Sequence, residues 1–215
     1  MIQHTNQRVG VFIDVQNMYY SARNLFNRKV NFGNVVKKTV GDRQLIRAIA
    51  YVVSTKSGEN RPFFDALINL GIETKEKELM EYVGGTKKAD WDVGITVDAI
   101  RLGEGLDVII LVSGDGDYVP LVEYLQSKGK IVEIASFRET TSTKLVEQVG
   151  PKNHINLSAN KRAFLISERF GFHKKATGMD ETDIATATPA APSRHDETND
   201  NDDDFLSPNE RSLSR

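Results

Sequence analysis

The chain has 215 residues and contains no cysteine at all. Disulfide bonds, thiolate metal ligands and a structural zinc finger are therefore excluded. No run of apolar residues approaches the ~18 that a membrane-spanning helix needs. The first ten residues also lack the basic patch and apolar run of a secretory signal. These absences predict a cytoplasmic protein without a membrane partner.

Motifs of several enzyme classes are missing as well. Neither a G-x-x-x-x-G-K-[ST] phosphate loop nor a G-x-G-x-x-G turn after the first apolar segment occurs, which argues against a nucleotide cofactor. The G-x-S-x-G elbow of serine hydrolases is absent, and none of the four histidines falls in a motif. Asp115 and Asp117 are not followed by the alternating acids and late glutamate of an EF-hand calcium loop.

Charge divides the chain into two parts. Hydrophobic residues make up 39% and charged residues 27%, as in a soluble globular domain. Residues 176–215 hold ten acidic and three basic side chains, which leaves residues 1–175 with a formal charge of about +5. A mildly basic domain suits a polyanionic partner such as RNA, although ordinary surface charge explains the same balance.

This charge pattern and the composition predict three parts of the chain. A globular domain is expected over residues 1–160, followed by a short extension over residues 161–175 that could be helical. The acidic tail, residues 176–215, has too few apolar residues to offset the entropy of ordering. We therefore expect the tail to be disordered.

Apolar, β-branched segments alternate with helical patterns between residues 8 and 157. The predicted strands are Val9–Val15, Leu45–Val53, Val108–Val112, Ile131–Ala135 and Ile155–Leu157. The predicted helices are Gln16–Phe26, Asn34–Val40, Arg61–Leu70, Trp91–Leu102, Tyr118–Lys128 and Thr143–Val149. Strands that are apolar throughout and separated by helices indicate a sheet covered on both faces. The fold class is therefore α/β, a three-layer sandwich around a central, mostly parallel sheet.

Acidic residues follow two of these strands directly. Asp14 ends the first apolar segment, and the sequence Ser113-Gly-Asp115-Gly-Asp117 follows Val108–Val112. Because ligands of parallel α/β sheets bind beyond the carboxyl ends of the strands, we expect both groups at one sheet edge. Each aspartate alone could be a helix cap or a turn residue. Together, their carboxylates would repel one another and favour a divalent cation with oxygen ligands.

A further acid comes from the helix predicted after Lys88. Val93, Val97 and Ile100 are predicted to form its buried stripe, with Asp92 beside that stripe and Asp98 on nearly the opposite face. Asp92 is therefore expected to reach the sheet edge and Asp98 is not, while Asp90 is the expected N-cap. The helix macrodipole explains an acid at Asp92 equally well.

Polar and basic residues near these acids are candidates for substrate contacts. Asn17 lies one helical turn after Asp14 and could orient a water or a phosphate oxygen. Ser113 could donate its hydroxyl to a phosphate, and Lys87 and Lys88 could contact phosphates. Tyr19, Tyr20 and Tyr118 could stack on unpaired bases. Each residue also has an ordinary role. Asn17 would be a solvent-facing helix residue and Ser113 a turn former, and the more common roles are solvated surface for the lysines and core packing for the tyrosines.

Three blocks of the sequence resemble the NYN-domain family, the LabA-like branch of the PIN-like nucleases. They are VFIDVQN (Val11–Asn17), KADWDVGITV (Lys88–Val97) and LVSGDGDYVPL (Leu111–Leu121), and the resemblance runs from about residue 8 to residue 157. The resemblance implies a PIN-like three-layer fold, magnesium or manganese in an acidic pocket, and endonucleolytic cleavage of RNA. The family residues that it matches here are Asp14, Asn17, Asp92, Asp115 and Asp117.

The middle block departs from the family pattern, which more often reads Lys-Gly-x-Asp-Val. Here the chain reads Lys88-Ala-Asp90-Trp-Asp92-Val93, so either aspartate could match the family acid. Asp92 is chosen because it precedes Val93 as the family acid precedes its valine.

The resulting expectation is a metal-dependent endoribonuclease. Its metal ligands would be Asp14, Asp92, Asp115 and Asp117, and its cofactor Mg²⁺ or Mn²⁺. The alternative is a catalytically silent RNA- or protein-binding module on the same fold, and pairing of two copies is left open. A phosphatase with Asp14 as nucleophile is disfavoured, since its usual second aspartate is replaced by Gln16.

Overall fold

A computed structural model describes residues 4–54, 59–78, 80–81, 87–88 and 90–166. Its strands are β1 (Arg8–Asp14), β2 (Gln44–Ser54), β3 (Glu73–Glu78), β4 (Met80–Glu81), β5 (Lys87–Lys88), β6 (Val108–Val112), β7 (Ile131–Ser136) and β8 (His154–Asn156). Its α-helices are α1 (Val15–Phe26), α2 (Phe32–Val40), α3 (Arg61–Asn69), α4 (Asp92–Gly103), α5 (Val119–Ser127), α6 (Thr143–Val149) and α7 (Lys161–Phe164). The predicted disordered tail, residues 176–215, lies outside the described residues.

Six strands form one parallel sheet in the order β3-β2-β1-β6-β7-β8. The central strands β1 and β6 are buried on both faces, as their uninterrupted apolar sequences require. Val11 and Ile13 of β1 pack into the core under α1 and α2, whereas Phe12 packs into a second core with α4 and α5. The predicted three-layer α/β sandwich is therefore confirmed. The longest helices in the described ranges have 12 residues, and none of those helices could cross a membrane.

The edge strand β3 was not predicted, because its sequence ETKEKE carries no apolar pattern. It pairs with β2 in parallel and stays largely exposed on the outside of the sheet. Charged side chains are a common device on edge strands, which they protect from pairing with other chains. Here they also form ion pairs, such as that between Arg47 and Glu73.

Helix α4 buries a different face from the predicted one. Val93 and Val97 are 74% and 45% exposed, while Ile95, Asp98 and Ala99 face the sheet. The apolar residues of this helix point in all directions, so periodicity could not identify the buried side. The prediction for Asp98 was also wrong in its orientation, because the side chain is buried.

Two polar partners explain the burial of Asp98. The hydroxyl of Tyr51 and the ammonium group of Lys75 lie 2.8 Å and 2.5 Å from Asp98 Oδ2. Asp92 lies on the other flank of the same buried face, one turn before Ile95. The predicted N-cap was wrong as well: α4 begins at Asp92, and its cap residue is Trp91 without a side-chain hydrogen bond.

Candidate active site

The carboxyl ends of β1 and β6 bring two predicted groups of residues together. Ser113 Oγ lies 3.4 Å from Asp14 Oδ2, and the amide N–H of Gly114 donates to Asn17 Oδ1 at 3.1 Å. The two strands are hydrogen-bonded neighbours in parallel register, which fixes this meeting. Asn17 therefore joins the first turn of α1 to the loop Ser113–Asp117, here called the acidic loop.

Asp14 is both a helix cap and the most buried acid of this edge. Its Oδ1 accepts a hydrogen bond from the backbone N–H of Asn17 at 3.0 Å, and only 8% of the residue is exposed. Burial, together with the charges of Asp92 and Asp115, raises the pKa of Asp14 to about 7. The hydrogen bonds from Asn17 and Tyr118 oppose this rise of the pKa without cancelling it.

Tyr118 links Asp14 to Asp92. Its hydroxyl donates to Asp92 Oδ1 at 2.9 Å and lies 3.4 Å from Asp14 Oδ2. The residue is 1% exposed, so the ring packs in the core, which was the alternative to stacking on bases. Burial is the largest cause of the raised pKa of Asp92. Burial and the neighbouring carboxylates also raise the pKa of Tyr118, which stays a neutral donor. In the sequence, the tyrosine at the end of SGDGDY was the signal from which this hydrogen-bonding role could have been predicted.

Asp115 and Asp117 occupy different positions in the acidic loop. Asp115 is half-buried and caps the short 3-10 helix Gly116–Tyr118 by accepting from the N–H of Asp117 at 3.0 Å. Asp117 is exposed, and it does not cap α5, whose first turn has no side-chain cap. Asp14, Asp92, Asp115 and Asp117 are called the acidic cluster below.

Ser113 forms one hydrogen bond with Asp14 and another with Asp115. Its hydroxyl oxygen accepts from the N–H of Asp115 at 3.2 Å, and the residue is fully buried. This position suits the orientation of Asp14 and Asp115, whereas the predicted contact with a substrate would need an accessible hydroxyl. Ser113 is therefore an orienting residue rather than a substrate-binding one.

The loop after β7 packs directly on the acidic loop, a contact that sequence reasoning missed. The N–H of Ser142 donates to the carbonyl of Gly114 at 2.9 Å. A Cβ atom placed on Gly114 would lie 3.1 Å from both Thr140 O and Thr141 Cα. One placed on Gly116 would lie 2.8 Å from Ser142 Oγ. Both glycines therefore lie in close contact with the loop after β7, and their spacing was the signal available in the sequence.

The remaining predicted residues are placed only in part. Lys87 and Lys88 form β5, which pairs with β4 in an antiparallel ribbon. Their side chains lie outside the described residues, so their contact with phosphates stays a prediction. Asp98 does not join the acidic cluster, since Tyr51 and Lys75 bind its carboxylate. Asp90 is half-buried and lies two residues before α4 begins.

The donor chemistry of the acidic cluster fits a hard divalent cation. In the described part of the chain, no three Asp, Glu or His side chains stand close enough to hold a metal ion as a preformed cage. Mg²⁺ keeps several of its waters and needs only one or two carboxylates, so such a cage is not required. Burial is the main cause of the raised pKa of Asp14, and the charges of Asp92 and Asp115 add to it. A bound cation would compensate this negative charge.

Comparison with known proteins agrees with this architecture. The family model described as the NYN domain matches residues 8–153. The chain is 28% identical over 144 residues to the low amplitude and bright protein LabA of Synechococcus elongatus, covering 60% of this chain and 73% of LabA. A Vibrio parahaemolyticus protein of unknown function has a crystal structure that matches with a TM-score of 0.68 and 30% identity. That match covers 77% of this chain and 100% of the Vibrio protein.

Proposed function

The chain belongs to the NYN-domain family, and we propose that it is a metal-dependent endoribonuclease whose active site is the acidic cluster. The substrate is RNA, and the reaction is hydrolysis of its phosphodiester bonds with Mg²⁺ or Mn²⁺ as cofactor. The family resemblance supplies the reaction class. The geometry at the ends of β1 and β6 supplies the reason to assign that class to these residues.

One observation carries the proposal: Asp14 is buried beside other acids at a cost in stability. Capping α1 requires only one oxygen acceptor, which an asparagine or serine would provide without a charge. The raised pKa of Asp14 means that burial, and then the charges of Asp92 and Asp115, disfavour the ionised form of this carboxyl in the metal-free protein. Such an arrangement is typical of a site that binds a cation or performs chemistry.

Asp14, Asp92, Asp115 and Asp117 would hold the ion. A bound Mg²⁺ or Mn²⁺ supplies a water of lowered pKa and balances the negative charge of the reacting phosphate. Tyr118 holds the Asp92 carboxylate through its hydroxyl and keeps it turned toward Asp14. Ser113 orients Asp14 and Asp115 through a hydrogen bond to each residue.

Asn17 has a separate role in this proposal. Its Oδ1 accepts from the N–H of Gly114, which fixes the plane of the amide. The Nδ2 group is then a neutral donor for a phosphate oxygen or a water at the edge of the acidic cluster. A neutral donor suits this position because it would not form an ion pair with the neighbouring carboxylates.

The test is cleavage of labelled single-stranded RNA in Mg²⁺ or Mn²⁺ by the wild type and by Asp14→Asn and Asp115→Asn. Both substitutions keep the shape of the side chain and its capping oxygen while removing the charge. Asp107→Asn is the matched control, because Asp107 precedes β6 at the opposite edge of the sheet and pairs with Arg8. We expect chelator and both site substitutions to abolish cleavage, and the control to retain it.

Two results would contradict the proposal. The wild type could fail to cleave RNA with either ion, or its cleavage could survive both site substitutions, as that of a contaminant would. Either result would favour the catalytically silent RNA- or protein-binding module. The affinity of the chain for RNA would then decide between the two kinds of partner.

A further inference from the structure

The loop that joins β7 to α6, residues 137–142, forms a wall beside the acidic loop. Thr140 and Thr141 approach Gly114 closely, and Ser142 approaches Gly116, so that a Cβ atom at either glycine would lie within 3.1 Å of this loop. Gly116 stands between Asp115 and Asp117 in the chain. The side chain of Ser142 is therefore held next to the acids that the proposed function assigns to the metal.

The three hydroxyl groups of this loop differ in whether they form hydrogen bonds within the protein. Thr140 Oγ1 donates to Ser21 Oγ at 2.9 Å, and Thr141 Oγ1 donates to the carbonyl of Phe137 at 2.6 Å. Thr141 also shares a hydrogen bond with Ser136 at 2.7 Å. These two threonines are thus committed to holding the loop in place.

Ser142 is the exception among the three. Its backbone binds Gly114, but its hydroxyl does not cap α6. Within the described ranges its Oγ makes no hydrogen bond to the protein, although the residue is half-buried. The hydroxyl oxygen of a serine directly before a helix usually accepts a hydrogen bond from a backbone N–H of the first turn. Here the hydroxyl is left as a donor at the rim of the acidic cluster.

A neutral donor is the appropriate chemistry for a phosphate at this place. A lysine or arginine inside the acidic cluster would pair with the aspartates, whereas a hydroxyl can donate to a phosphate oxygen without doing so. Hydroxyl groups commonly make such contacts with nucleic-acid backbones. The loop also carries Arg138, and Lys144 follows it in α6. Both basic side chains are exposed. They can attract the RNA strand from outside the acidic cluster.

We infer that Ser142 is a substrate-binding residue that donates a hydrogen bond to a phosphate oxygen of the RNA strand. This inference rests on the proposed function and adds a contact to it. The contact would form when the substrate binds, so its loss should weaken binding more than it slows the chemical step. A hydrogen bond to a charged group is worth roughly a tenfold change in affinity or more.

The test compares Ser142→Ala with Ser142→Thr, which keeps the hydroxyl, and with Thr143→Ala, an exposed neighbour. Binding of a fluorescent single-stranded RNA in Mg²⁺ is measured in the Asp115→Asn background, where cleavage is absent. Steady-state cleavage is measured with the otherwise unmodified chain. We expect Ser142→Ala to raise both Kd and KM about tenfold and to change kcat by less than about threefold. Ser142→Thr should restore most of the loss, and Thr143→Ala should resemble the wild type.

The outcomes separate this inference from the proposed function. If the wild type cleaves RNA and Ser142→Ala has an unchanged Kd and KM, the inference is wrong and the nuclease stands. A fall in kcat at constant KM, or a threonine variant as weak as the alanine variant, would also overturn it. If the wild type neither binds nor cleaves RNA, both the proposed function and this inference fail. Thermal unfolding of each variant checks that the fold is intact.

Discussion

Tyr118 donates its buried hydroxyl to Asp92 Oδ1 at 2.9 Å, which places a neutral donor among the carboxylates of the candidate site. The same hydroxyl lies 3.4 Å from Asp14 Oδ2. Its hydrogen bonds lower the pKa of both carboxyls and so oppose the effect of their burial. One side chain therefore favours the ionised form of two acids.

Replacement of Tyr118 by phenylalanine removes this donor without opening a cavity. The pKa of Asp14 and that of Asp92 should rise, because burial remains while the opposing hydrogen bonds are lost. We expect the acidic limb of the pH–activity profile to move to higher pH. The free energy of unfolding at pH 8 should fall by roughly 1–3 kcal/mol, since buried charges lose a partner. The measurements are RNA cleavage and denaturant unfolding as functions of pH.

Tyr51→Phe is the matched control for this substitution. Tyr51 is equally buried, and its hydroxyl donates to a different carboxylate, Asp98, at 2.8 Å. Its removal should cost a similar amount of stability but leave the pH–activity profile in place. The role assigned to Tyr118 is wrong if both variants shift the profile equally, or if neither does.

The raised pKa of Asp14 predicts a pH dependence of folding. The folded protein holds this proton up to a pH of about 7, whereas the unfolded chain releases it near the ordinary aspartate pKa of 3.8. The contribution of Asp14 to stability is therefore fully present below about pH 4 and is lost as the pH rises to about 7. At pH 8, Asp14→Asn should be more stable than the metal-free wild type by on the order of a few kcal/mol. Near pH 4 the difference should disappear.

The exposed acid Asp107 provides a control of opposite sign. Its hydrogen bonds with Arg8 hold its pKa at about 2, below the ordinary aspartate pKa of 3.8. Asp107 therefore contributes stability above pH 4 and loses it as the pH falls through 2. Asp107→Asn should be slightly less stable than the wild type at neutral pH. An Asp14→Asn protein that is also less stable at pH 8 would refute the account of Asp14 as a costly buried charge.

Metal binding should compete with the proton on Asp14. A ligand that binds only the folded state raises the free energy of unfolding, and a carboxylate must lose its proton before it binds a cation. Mg²⁺ should therefore raise the melting temperature of the wild type more at pH 8 than at pH 6. Asp14→Asn should show little of this rise, and NaCl of matched ionic strength should not reproduce it. An equal rise in both proteins would place the ion elsewhere.

The central sheet could be predicted from sequence because burial on both faces demands uninterrupted apolar strands. The same property identified the sheet edge where Asp14 and Asp115 meet, since parallel strands end together. The edge strand β3 escaped prediction because an exposed strand has no apolar pattern to detect. Helix α4 was assigned the wrong face because Asp98, a charged residue, points inward to partners on β2 and β3.

The parts of the site that sequence could not supply depend on contacts between distant segments. The hydroxyl of Tyr118 reaches Asp92 across 26 residues, and Gly114 accepts from Ser142 across the whole of α5 and β7. Neither contact follows from local periodicity. Only the combined positions of α4, the acidic loop and the loop after β7 make Tyr118 and Ser142 part of the candidate site.

Gly114→Ala tests whether the close packing of these two loops matters for activity. The added methyl group would lie 3.1 Å from two backbone atoms, Thr140 O and Thr141 Cα, which cannot rotate away. The φ angle of Gly114 is not positive, so the expected cost comes from this contact alone. We expect a loss of about 1–3 kcal/mol of stability and a fall in RNA cleavage as Asp115 moves.

Gly105→Ala is its matched control, because the nearest atom to the added methyl is Leu102 O at 3.8 Å. Where alanine fits, the substitution should stabilise the chain by roughly 0.4–1 kcal/mol and leave cleavage unchanged. Thermal unfolding and RNA cleavage are measured for both proteins. Wild-type activity in Gly114→Ala would mean that the two loops separate without moving the carboxylates. The packing of the loop after β7 would then be dispensable for the position of Asp115.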